Sequence, residues 1–238
     1  MTHVKIADAF SKLVGFCTGY GGKYNPGRPN LRIESMSTQL DEVRQSFEVV
    51  KNAQANLNNQ VNKRKQKYDQ LSRLASSILR ALEASGAATE KKDHARQFAH
   101  QMMGKAPKNR APIPSDAAQP EKKTQANLQL AYVSKADSFS KLVKAVSTEP
   151  LYVVNEPDLS PQGLTTVVTE LELLNQQVDE ARKIWRNTLI ARNEVLYSKP
   201  VSLYNTALAV KKYVRAIYGH DSAQYAQIKA LRFFKLTR

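Results

Sequence analysis

The chain has 238 residues and a formal net charge of +15, from 36 Lys and Arg against 21 Asp and Glu. Hydrophobic residues make up 42% and charged residues 24%, which excludes a wholly disordered chain. No apolar run approaches the roughly 18 residues of a membrane span, and a lone cysteine, Cys17, excludes an internal disulfide and a cysteine-rich zinc site.

The first 16 residues hold Lys5, Asp8 and Lys12 and so contain no uninterrupted apolar signal region, which leads to the expectation of a cytoplasmic protein. A short helix is expected around DAFSKLV (8–14), followed by a loop through YNPGRPN (24–30). From Leu40 a heptad runs through Val43, Phe47, Val50, Gln54, Leu57, Val61, Arg64, Tyr68 and Leu71. That is the 3.5-residue spacing of a helix packed along a helical partner. Ser37 or Thr38 is the expected N-cap, since a hydroxyl there satisfies an open backbone N–H. A separate helix through Leu74, Ile78 and Leu82 should stop at Gly86, and a third should run from Thr89 to Gly104. Residues 105–130 open with KAPKNRAPIPSDAAQP, too rich in proline and too poor in large apolar residues to build a core, and read as a linker.

The second half then replays the first. DSFSKLV (137–143) matches DAFSKLV in six of seven positions, and NEPDLSP (155–161) occupies the place of YNPGRPN. A long helix follows, from about Leu164 to Tyr197, with Val167, Leu171, Leu174, Val178, Ala181 and Trp185 on one face. Lys199–Pro200 breaks it, because proline disfavours a helical residue before it. A helix through Leu203, Ala207, Val210 and Val214 ends at Gly219, and Asp221 or Ser222 caps a last one. The expected fold is therefore all-α: two tandem four-helix units, 1–104 and 131–238, arisen by internal duplication and joined by the linker.

The runs RNEVLY (192–197), VKKYVRAIYG (210–219) and DSAQYAQIK (221–229), with ALEASGA (81–87) and VSTEPLYVVNEPDL (146–159), carry a resemblance. The chain resembles uncharacterised two-unit helical proteins of the Bacteroides–Flavobacterium group. The resemblance covers most of the chain outside the linker and implies a helical fold and a bacterial cell. It transfers no functional residue.

No set of residues has the mutual spacing of a catalytic or metal centre. His94 and His100 are six apart, not the four that puts a metal pair on one helical face, and no Glu-x-x-His occurs. The glycine-rich loop at 20–28 lacks phosphate-loop spacing and follows no strand. No enzyme activity, cofactor or metal is expected. Arg64 and Arg192 both fall on the apolar seam of their long helices, 128 residues apart, and each is expected to be buried against a carboxylate or helix-end carbonyls.

The charge is blocked. Residues 137–180 hold two Lys against eight acids, and 182–238 hold 12 Lys and Arg against two; 31–50 and 51–110 repeat the contrast. Lys63, Lys65 and Lys67, and Lys211, Lys212 and Arg215, are the candidate polyanion-binding clusters. The expected role is a non-enzymatic helical interaction or structural protein that binds a protein partner or itself. The alternative is a sequence-independent nucleic-acid-binding protein that uses those basic faces.

Overall fold

The computed structural model describes residues 3–104 and 125–236, with side chains from 129 onward in the second stretch; every regular element among them is helical. α1 (His3–Gly19) buries Ile6, Phe10, Leu13 and Cys17 at three- and four-residue spacing. A 3-10 turn, Pro29–Leu31, leads directly into α2 (Ile33–Ala84). Neither Ser37 nor Thr38 caps α2, because the turn starts the helix earlier; the Thr38 hydroxyl instead donates to the Glu34 carbonyl one turn back. α2 is a single helix of 52 residues, not the two expected. Nothing between Tyr68 and Leu74 breaks it: no proline, no glycine, and an unbroken apolar phase.

Gly86, at φ +77°, ends that run in the left-handed region that a side chain would disfavour. α3 (Thr89–Met103) follows, starting at Thr89 as expected but without a side-chain cap. α4 (Gln125–Ser147) begins six residues inside the stretch read as linker; the rest of that linker, 105–124, lies outside the described residues. A second 3-10 turn, Pro157–Leu159, precedes α5 (Pro161–Asn193), which widens into a π-helical turn at Glu194–Ser198 before the break at Pro200. α6 (Leu203–Tyr218) and α7 (Ala223–Lys229) are capped by the hydroxyls of Ser202 and Ser222, which accept from the amides of Asn205 and Tyr225.

The chain folds into two compact units, but not the two the sequence suggests. One, here the terminal unit, is built from residues 1–56 and 182–238; the other, the central unit, from 57–181. The expected division into 1–104 and 131–238 fails because α2 and α5 do not turn back within their own halves. Each passes from one unit into the other, so each core draws on both halves of the chain.

In the terminal unit, Phe10 and Leu13 of α1 pack with Met36 and Val43 of α2, Leu196 beyond α5, and Val210 of α6. In the central unit, Phe139 and Leu142 of α4 pack with Leu71 and Ile78 of α2, Ala99 of α3 and Leu171 of α5. Phe10, Leu13, Phe139 and Leu142 are all fully buried, worth about 1.5–3 kcal/mol apiece. The loop after each DxFSKLV is pinned the same way. The Tyr24 hydroxyl donates to the Leu31 carbonyl (2.7 Å), and the Tyr152 hydroxyl to that of Leu159 (3.0 Å), each spanning seven residues.

Candidate functional site

Arg64 sits on the buried seam of α2 in the central unit, 3% exposed. A guanidinium there must be given acceptors. It donates to the side-chain oxygens of Gln129 and Asn175 and lies 4.0 Å from the centre of the Tyr132 ring. Asn175 in turn donates to the Tyr68 hydroxyl (2.8 Å), and the rings of Tyr68 and Tyr132 meet edge-on, 4.8 Å between centroids. Burial pushes the Tyr68 hydroxyl above its usual pKa, against the pull of Asn175 and the Arg64 charge. The expected burial of Arg64 is observed; its acceptors include side-chain amides, a class of partner the sequence reading did not name.

Arg192 occupies the same helical phase in the terminal unit but a different setting. It is half-buried, and its Nε and Nη2 donate to Asn193 Oδ1 at 3.2 and 2.8 Å. Burial holds its pKa below the usual value. Close by, His3 Nδ1 and the Tyr197 hydroxyl share a hydrogen bond of 2.9 Å. Burial, and then the Arg192 charge, lower the pKa of His3. The position 128 residues before Asn175 is Phe47, so the terminal unit has no amide to offer Arg192 there.

The six basic candidates divide between the units and between roles. Lys63 and Lys65 are exposed, whereas Lys67 is half-buried in an ion pair with Glu170. Lys67 also lines an open cleft of about 650 Å³ floored by Leu71, Leu159 and Val167. Lys211 turns inward, donating to the carbonyls of Leu231 and Lys229 and lying 5.3 Å from the Phe233 ring; burial lowers its pKa. It ties the chain after α7 back onto α6. Lys212 is exposed, as is Arg215, which lies 6.0 Å from the Tyr225 ring. The terminal unit holds 19 Lys and Arg against seven acids, net +12, and the central unit 17 against 14, net +3.

A further feature escapes a reading that follows only the buried phase of α5. In the terminal unit its last turns expose Ile184 (45%) and Ile190 (58%) beside exposed Lys183 and Asn187; in the central unit it exposes Leu173 (50%). Two large apolar side chains half in water within two turns of one helix are surface that a partner can cover.

No group of three or more His, Cys, Asp or Glu side chains with metal-binding geometry occurs among the described residues, and no helix there is long and apolar enough to cross a membrane. Comparison with protein-family models, curated proteins and solved structures finds no match.

Proposed function

We propose that the chain is a non-enzymatic, internally duplicated helical interaction protein of the cytoplasm that receives a protein partner on the exposed stretch of α5 in the terminal unit. The observation that carries this reading is the pair of half-exposed side chains Ile184 and Ile190 beside exposed Lys183 and Asn187. Apolar side chains held in water on a rigid helix gain when a partner covers them, and the surrounding polar groups select which partner does so. The duplication is supported by the matched DxFSKLV motifs and the matched tyrosine-to-carbonyl bonds after them. The bacterial origin rests on the family resemblance of RNEVLY, VKKYVRAIYG and DSAQYAQIK.

A photo-crosslinking amino acid at Ile190, in the cell, is expected to capture a protein of defined mass, while one at exposed Leu151, off that face, captures none. Equal labelling at both sites contradicts the reading. The second reading, nucleic-acid binding, is supported by the net charge of +12 in the terminal unit. Lys211 and Lys67, however, are already engaged by carbonyls and Glu170, leaving fewer free cations than the sequence offers. Duplex DNA is therefore expected to bind weakly and to be released near physiological salt, where charges are screened within about 8 Å. Submicromolar affinity by fluorescence anisotropy at that salt would favour nucleic acid over protein.

A further inference from the structure

We infer that the cleft of the central unit is a binding site for a short apolar peptide whose terminal amine and carboxylate are both free. Its volume, about 650 Å³, lies within the range of ligand sites. Its floor is apolar and comes from three elements: Leu71 of α2, Leu159 of the 3-10 turn and Val167 of α5. A single amino acid would leave most of that floor uncovered. Charge of both signs also lines the cleft. α2 supplies Arg73, while Glu156 and Asp158 come from the loop that enters α5, and all three are exposed. Among the described residues, none of the three is held in an ion pair. Lys67, the other cation lining the cleft, is held by Glu170, which leaves Arg73 to the ligand. A terminal carboxylate suits the planar fork of the guanidinium, and a terminal ammonium suits the two carboxylates.

The terminal unit holds a smaller cleft that makes the contrast. Asn30, Ser35 and Gln39 line a space of about 390 Å³ there, and they stand 128 positions before Asp158, Gly163 and Val167 of the larger cleft. The same interval separates the two tyrosine-to-carbonyl bonds of Tyr24 and Tyr152. In the smaller cleft Gln39 is buried, and its amide donates to the Val201 carbonyl (2.8 Å), a strap between two of the lining residues. No Lys or Arg lines it among the described residues. The larger cleft has Val167 in place of Gln39 and so lacks that strap, and it has Asp158 in place of the neutral Asn30. One difference opens the cleft to apolar groups and the other charges it. A half-buried valine on an open floor gains when an apolar side chain covers it.

This site is independent of the protein partner placed on α5, and its failure would leave that reading standing. The test is isothermal titration calorimetry of the full chain with the tripeptide Leu-Ala-Leu, its N-acetylated form and its C-amidated form. The free tripeptide should bind, and each blocked form should bind about tenfold more weakly. Arg73→Gln should weaken the free tripeptide by a similar factor and erase the effect of amidation while keeping that of acetylation. Glu156→Gln combined with Asp158→Asn should do the converse. Val167→Gln, which puts an amide on the apolar floor, should weaken every form. The changed residues are exposed or half-buried, and unchanged circular dichroism would show that each variant folds. No heat from the free tripeptide, equal affinity for the free and blocked forms, or charge variants that still discriminate at their own end of the peptide, each overturns the assignment. Decanoate binding as tightly as the tripeptide would make an amphiphilic anion the occupant and overturn it as well.

Discussion

Arg64 and Arg192 show how one residue at one helical phase takes two energetic roles. Removing Arg64 takes a donor from the side-chain oxygens of buried Asn175 and half-buried Gln129, each of which then carries the cost of an unmade hydrogen bond. Arg64→Ala is expected to lower stability by roughly 1–3 kcal/mol in urea unfolding. Arg192→Ala, which removes hydrogen bonds to its own half-buried neighbour Asn193, should cost less than about 1 kcal/mol. Equal losses would contradict the difference in setting. The phase of both arginines was legible in the heptad pattern. Their partners were not, since Gln129 and Asn175 come from other helices, 65 and 111 residues away.

His3 makes the pH-dependent counterpart. Its folded pKa lies below the ordinary value of 6.5, so the unfolded chain binds the proton first as pH falls. The contribution of neutral His3 is fully present above pH 6.5 and declines as pH falls from there towards the folded pKa. His3→Gln should flatten that part of the stability–pH curve. A variant as acid-sensitive as the wild type in this window would rule His3 out as its source.

At the scale of elements, backbone space decides two glycine substitutions in opposite directions. Gly163, in the first turn of α5, faces the Pro157 carbonyl of the preceding 3-10 turn, and a methyl group there would be driven into that oxygen. Backbone cannot swing aside as a side chain can, so Gly163→Ala should cost about 1–3 kcal/mol. Gly15 lies within α1 with open space where its side chain would stand. Gly15→Ala should stabilise by roughly 0.5–1 kcal/mol, by removing a glycine from a helix interior. Thermal melts of the two variants should therefore move apart, and movement in the same direction would contradict the local geometry. The order of helices was largely legible in the sequence, because their apolar phases and the stops at Gly86 and Gly219 are local signals. The continuity of α2 was legible too: from Ser72 to Ser85 there is no proline or glycine, so the break expected before Leu74 has no residue to make it.

For the whole molecule, local signals were not enough. A heptad says that a helix has a partner and is silent on which one. The seam from Leu40 to Leu71 reads identically whether α2 packs within its own half or spans two units. Only the cores decide. Phe10 shares one with Val210, far along the chain, and Phe139 shares the other with Ile78 of the first half. The acidic and basic blocks carry a division that went unread: their boundary near residue 181 coincides with one between the units.

The interleaving of the two chain halves underlies both cores, and cleavage within residues 105–124 measures it directly. A specific protease site at Pro114, cut after folding, separates the halves covalently while leaving every described helix intact. Because each core needs side chains from both halves, the fragments should remain together in gel filtration under native conditions, with unchanged helical circular dichroism, and part only in denaturant. Two fragments that elute separately while keeping their helical signal would show that each half folds alone, and would contradict the shared cores.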